Sequence, residues 1–241
     1  GALMAGSFLV IGISAYFLLK KKHVRFAVES MRIALIVGLI SGGAQFILGH
    51  HHAVQVYETQ PIKLAAFEGH FETTENAPLL VFGIPDADAG KTHLMIPLPG
   101  MLSFGVSGSF DTEIKGLNDY PREQWPPLLL TFFPFHIMVA LWAVMMLVAI
   151  WGVWLGYKEK LLGAKWFQYL ALVATPMPVV ASILGWMTAE IGRQPWVVYP
   201  VFRDGEIVDD TIALLTRDGI SEVVSAGEIL TSLILFGIVY S

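Results

Sequence analysis

Long apolar runs alternate with polar stretches along this chain. Residues 3–19, 33–48, 128–156 and 167–189 are apolar for most of their length, and a fifth run, 229–240, is shorter. A helix rises 1.5 Å per residue and the hydrocarbon core of a bilayer is about 30 Å thick, so a span needs roughly 20 apolar residues. The third and fourth runs exceed that length, and the first two reach it by borrowing from their flanks. The pattern predicts an all-α polytopic membrane protein, a helix bundle with one long outward-facing loop. Pro176 and Pro178 fall inside the fourth run, where neighbouring groups can re-satisfy the freed carbonyls, so a kink is expected there.

The predicted organisation follows. Residues 1–48 hold two spans, the first expected to be incomplete, and 49–127 form the outward segment. Residues 128–189 hold two more spans, 190–228 a second outward segment, and 229–241 the start of a further span. Because residue 1 is Gly and the last run is short, the reading expects a piece of a longer protein. Within the long segment, 62–72 reads as a short helix. Residues 79–84 and 94–98 read as two strands around Pro85, Asp86, Asp88 and Gly90, a small hairpin.

Composition sharpens this picture. Only 15% of residues are charged, against about 25% in soluble domains, which argues against a soluble protein. The net charge of -5 leaves no basic face for nucleic acid, and the absence of Cys removes disulfides, thiolate metal ligands and Cys nucleophiles. The connections 20–32 and 157–165 carry eight of the 15 Lys and Arg, with only Glu29 and Glu159 as acids; the other acids lie in 49–127 and 190–228. The positive-inside rule places 20–32 and 157–165 in the cytoplasm and the two long segments outside.

Three clusters exceed what membrane burial needs. In Gln60-Pro61-Ile62-Lys63-Leu64-Ala65-Ala66-Phe67-Glu68, Lys63 and Glu68 lie five residues apart, about 140° around a helix, too far for an i,i+4 pair. They are either two solvated charges on an interfacial helix or a polar pair that grips an amphipathic ligand from two directions. In Phe135-His136-Ile137-Met138, the ionisable His136 lies inside a span and is a functional candidate by default. Met138 lies about 200° from it around the helix, so one iron cannot use both; Leu141, Trp142 and Met145 share the Met138 face, which suits either plain packing or a flat apolar cofactor. The third cluster runs from Gly185 through Trp186, Glu190 and Arg193 to Pro195-Trp196. Its i, i+4, i+7 spacing predicts one face, either a buried ion pair with an interfacial Trp or a carboxylate at a metal or proton path. His50-His51-His52 cannot converge on one ion, because adjacent helical residues point about 100° apart, and reads as an outward interfacial cap.

Taken in order along the chain, the Gln-Pro-x-Lys-x-Ala-Ala-x-Glu segment, the Ile137-Met138 pair and the Gly-Trp-x-x-x-Glu-x-Gly-Arg-Gln-Pro-Trp segment resemble subunit I of the cytochrome bd quinol oxidases, across essentially all 241 residues. The resemblance implies the C-terminal portion of that subunit, with 49–127 as its quinol-binding loop, compact as in the shorter-loop branch. It implies Lys63 and Glu68 as catalytic residues of quinol oxidation, and Gln60, Met138, Trp186, Glu190 and Arg193 as cofactor-binding residues. Met138 would be an axial ligand of a low-spin haem b, and Glu190 would ligate or neighbour a high-spin haem b, with Arg193 near a propionate. A third haem, d or b, and the His opposite Met138 belong to the family's preceding helices. Where this chain has His136 the family often carries Arg, which exchanges a permanent charge for a titratable one.

The implied function is a terminal quinol oxidase that oxidises membrane quinol, reduces dioxygen to water and builds a proton gradient. It would sit in a bacterial or archaeal inner cell membrane, with subunit II, a small single-helix subunit, quinone and lipid as partners. The rival readings are an ion-coupled transporter gated by Glu190 and Arg193 and a structural bundle subunit, both without haem.

Overall fold

The computed structural model describes residues 1–221 and 223–240. Four segments are long and apolar enough to cross a membrane: Ala2–Leu19, Val24–Thr59, Leu128–Tyr157 and Lys165–Ile191. The first is α1, the second α2 and the third α5. The fourth is two helices, α6 (Lys165–Ala174) and α7 (Met177–Ile191). The interruption falls at the two prolines, where a kink is expected, and the backbone of Thr175 and Pro176 stays in the right-handed helical region. Neither Pro176 nor Pro178 has an N–H to return to the carbonyl four residues back, and the Leu172 carbonyl instead accepts from the Thr175 N–H at 3.2 Å.

The apolar run at 33–48 understates α2, which runs from Val24 to Thr59. Arg25, Glu29 and Arg32 are helical rather than part of a loop, because an exposed helical turn needs no apolar residues. His50, His51 and His52 are exposed on the same helix and face different directions. The connection between α1 and α2 is therefore short, with Lys21 and His23 in the left-handed region.

The bundle core sits where α1, α2, α5 and α6 meet. Phe8 and Ile11 of α1, Met31 and Leu35 of α2, Met145 of α5 and Phe167 of α6 are fully buried there. Close approach depends on a glycine, since a Cβ on Gly152 would collide with Leu35 and Phe167.

The first long connection opens with α3 (Pro61–Glu68), which starts on a proline suited to a first helical turn and stops at Gly69, φ +64°. Gly69 ends it four residues short of the predicted end. Two strands, β1 (Leu79–Asp86) and β2 (Lys91–Leu98), pair antiparallel, with Leu79 opposite Leu98 and Asp86 opposite Lys91. The predicted hairpin is present and longer than its apolar runs suggest. Its turn is closed by the Asp86 carboxylate, which accepts from the Asp88 and Ala89 N–H groups at 2.9 and 3.0 Å. A short helix α4 (Met101–Ser107) and two single 3-10 turns complete the connection to α5.

The second connection forms two small ladders, β3 (Trp196–Val198) with β6 (Leu214–Leu215) and β4 (Val201–Arg203) with β5 (Glu206–Asp209). Phe202 of β4 joins Ile62, Ala65 and Ala66 of α3 and Leu128 of α5 in one buried cluster, so both connections pack over the same end of the bundle. The last helix, α8 (Ala226–Tyr240), opens with a capping box. The Glu228 carboxylate accepts from the Ser225 N–H at 2.8 Å and the Glu228 N–H donates to Ser225 Oγ at 3.4 Å.

Candidate functional site

Helix α3 lies against the end of α5 where both connections meet, and every residue from Pro61 to Glu68 is buried. Lys63 is 9% and Glu68 4% exposed. That excludes the reading of two solvated charges on an interfacial helix. The two point apart, as their spacing predicts, and find different surroundings.

Lys63 turns towards the end of α7, where its Nζ donates to the Ala189 carbonyl at 3.0 Å. Burial pushes the ammonium below its ordinary value; the Glu190 carboxylate opposes that shift and the Arg193 guanidinium adds to it. Gly192 makes the approach close, since a Cβ there would lie 3.2 Å from Lys63 Cε and 3.0 Å from Thr131 Cγ2. The first and third sequence clusters, 126 residues apart at this contact, thus form one site. Glu190 and Arg193 pair at 3.6 Å and are both half-exposed, so the pair is not a buried one. α7 ends at Ile191, which leaves Arg193 just past the helix rather than on its face; its Nη2 donates to the Val197 carbonyl at 2.6 Å. Trp186 is exposed.

Glu68 turns the other way, beneath the hairpin. Burial drives its carboxyl up to about 8, offset in part by a hydrogen bond from the Leu80 backbone. Its Oε2 is buried without a hydrogen-bond partner among the described residues, as is Oε1 of Gln60 at the opposite end of α3. The Leu80 carbonyl lies 3.0 Å from His136 Nε2, and His136 Nδ1 lies 3.0 Å from the Phe132 carbonyl, so either tautomer has an acceptor. The His136 ring stacks on Phe132, with centroids 3.9 Å apart. From β2, Thr92 Oγ1 donates to the Gly69 carbonyl at 2.7 Å. Gly69 needs its missing side chain twice over, for its positive φ and because a Cβ would lie 2.9 Å from Phe132 and 3.0 Å from Thr92.

Met138 leaves α5 on another side and meets α7. A Cβ on Gly185 would sit 2.8 Å from its sulfur, so the thioether fills the space that glycine leaves. Much of the face for which packing and a flat cofactor were the alternatives is packed. Trp142 Nε1 donates to the Gly42 carbonyl at 3.1 Å and its ring stacks on Phe46, while Met145 is buried in the core. No group of three or more His, Asp or Glu side chains among the described residues could hold a metal ion.

Residues 1–241 match the sequence model of cytochrome bd terminal oxidase subunit I. The chain belongs to that family. It is 35% identical over its whole length to cytochrome bd ubiquinol oxidase subunit 1 of Bacillus subtilis and covers 51% of that protein. A second Bacillus subtilis protein, a putative cytochrome bd menaquinol oxidase subunit I, is 37% identical over 87% of this chain and 48% of its own length. Among solved structures, the bd oxidase from Geobacillus thermodenitrificans superposes with a TM-score of 0.77 at 28% identity, covering 98% of this chain and 51% of that one. The chain therefore spans about half the length of the relatives it matches.

Membership in the cytochrome bd subunit I family makes the protein a member of a respiratory oxidase family that works in membranes, and it favours the oxidase reading over the ion-coupled carrier. Within that frame, the structure gathers Lys63, Glu190 and Arg193 and sets Glu68, Gln60 and Met138 apart from them. Sequence reasoning missed Leu80 and Thr92, which reach Glu68 and Gly69 from the hairpin. Thr92 carried a faint signal, a hydroxyl at an inward position of a strand whose other residues are exposed.

Proposed function

We propose that the chain is the C-terminal part of subunit I of a quinol oxidase that oxidises membrane quinol and reduces dioxygen to water, and that α3 with the β1–β2 hairpin forms its quinol-oxidising site. The observation that carries this reading is the Glu68 carboxyl, buried with one oxygen unpartnered among the described residues. A buried carboxyl without a full set of partners is costly to keep, and a quinol hydroxyl supplies the missing partner. Oxidation of the quinol to quinone releases two electrons and two protons. In its ionised form Glu68 accepts a hydroxyl proton as a general base and passes it to the side on which α3 lies. Lys63 spends one of its three N–H donors on Ala189 and keeps two, enough to hold a quinol oxygen. Gln60 offers a further acceptor at the start of α3.

The donor chemistry of the residues expected to hold haem suits that group. Met138 presents a soft thioether between α5 and α7, and Glu190 presents an accessible carboxylate beside Arg193, which can pair with a propionate. Trp186 lies one turn before Glu190. Met138 would hold a low-spin haem b and Glu190 a high-spin haem b, with a third haem, d or b, held by residues outside this chain. Bound haem supplies one-electron acceptors and the iron at which oxygen is reduced. Subunit II, a small single-helix subunit and lipid would cover the apolar helix faces. Quinol oxidation outside with proton uptake from inside would build the proton gradient.

The test is Glu68→Gln in the whole assembled oxidase. Quinol turnover is expected to fall about 100-fold or more, the scale of a general base, with the reduced-minus-oxidised haem spectrum unchanged. Unchanged turnover would overturn the assignment.

A further inference from the structure

Few side chains attach the β1–β2 hairpin to the rest of the protein. Every residue of β2 except Thr92 is exposed, and in β1 the buried positions are Leu80, Gly83 and Pro85. At its tip Arg122 reaches the Ala87 carbonyl and Asn118 Nδ2 donates to the Gly90 carbonyl at 3.2 Å, both in exposed surroundings where such contacts hold little. The buried attachments lie on the inner face of the ladder, one at Thr92, opposite Pro85 beside the turn, and one at Leu80, opposite Pro97 towards the open end. Thr92 Oγ1 donates to the carbonyl of Gly69, the residue directly after Glu68. His136, braced on Phe132, meets the carbonyl of Leu80, and the N–H of the same Leu80 faces the Glu68 carboxyl. Phe132 fills the space beside both Gly69 and Gly83, so the ring that seats His136 also seats the hairpin.

We infer that Thr92 and His136 form a two-point clasp that holds the hairpin on α3 and α5 and, through the Leu80 backbone, sets the position of the Glu68 carboxyl for quinol oxidation. The inference rests on α3 being the quinol site. Neither residue touches the quinol in this account. They are positioning residues, acting through the strand whose Leu80 backbone faces the Glu68 carboxyl. Release of either point lets Leu80 drift from Glu68. Misplacing a proton acceptor lowers the rate of the chemical step more than it weakens ground-state binding.

The experiment compares Thr92→Val, Thr92→Ser and His136→Leu in the whole oxidase, with Glu68→Gln alongside. Valine keeps the shape of threonine and loses the hydroxyl; serine keeps the hydroxyl. Thr92→Val and His136→Leu are each expected to lower kcat for quinol about tenfold, the scale of one buried hydrogen bond, with KM within about twofold. Thr92→Ser is expected to retain the parent kcat. Hydrogen exchange of the β1–β2 amides should quicken in Thr92→Val. Because Thr92 lies on the hairpin and away from Met138, the haem spectrum of Thr92→Val should match the parent, which separates the clasp from any direct effect of position 136 on haem. Parent kcat and parent hairpin exchange in Thr92→Val, with turnover lost in Glu68→Gln, would overturn the clasp and leave the quinol site standing. Full turnover in Glu68→Gln would instead remove the quinol reading on which the clasp rests.

Discussion

Burial penalises the Glu68 carboxylate and pushes its folded value up to about 8, above the 4.5 of a free glutamate. Between those two values the unfolded chain has released the proton and the folded chain has kept it. Fewer protons on the unfolded state means stability falls as pH rises through this window and levels off above it. Glutamine cannot ionise, so the unfolding midpoint of Glu68→Gln, measured by thermal denaturation of the detergent-solubilised oxidase, should gain on the parent from pH 5 to about 8 and no further. An unchanged gap across that range would mean Glu68 is ionised in the folded protein. Sequence made Glu68 and Lys63 visible as charges among apolar neighbours, and the structure gives them different surroundings. It could not reveal that Lys63 reaches Ala189. Helical spacing speaks only for residues within a few positions of one another, and that contact joins residues 126 apart.

At the scale of elements, the spans were legible because lipid demands long apolar runs, while their ends were less so because polar residues extend a helix freely. The split between α6 and α7 was written in two prolines, yet whether prolines bend or break a helix depends on which carbonyls find other donors, and that is settled by packing. Packing likewise fixes the meaning of glycine. Gly152 lies where α5 presses on Leu35 of α2 and Phe167 of α6, so a methyl group there overfills a closed interface. Gly152→Ala should lower stability by about 1–3 kcal/mol, seen as a lower thermal midpoint in detergent. The Met138–Gly185 contact obeys the same logic between α5 and α7, and with Trp142 and Met145 packed on their own neighbours it matches the packing alternative that the sequence left open for this face.

The molecule as a whole displays two kinds of surface, apolar helix sides and polar connections at both ends, and the sign of charge distinguishes the ends. Basic residues cluster at 20–32 and 157–165 and acids in the long connections. With no native cysteine in this chain, a single engineered one can be labelled cleanly within it. In intact cells carrying the whole oxidase with its other exposed cysteines removed, an impermeant thiol reagent should modify Asp111→Cys and spare Lys160→Cys; the reverse would invert the topology. Helix α2 has 36 residues, about 54 Å along its axis, against a hydrocarbon thickness of about 30 Å. Its surplus length ends at Gln60, where α3 begins. Each residue of a helix carries the next through about 100°, so α2 acts as an indexing shaft for whatever is mounted on its far end. Adding or removing a single residue in its exposed, histidine-bearing stretch would leave the buried part in register and swing α3 through more than a quarter turn, taking Lys63 off Ala189 and Glu68 out from under the hairpin together. The tolerance of that surface stretch is thus uneven: side chains there are free to vary, and their number is not.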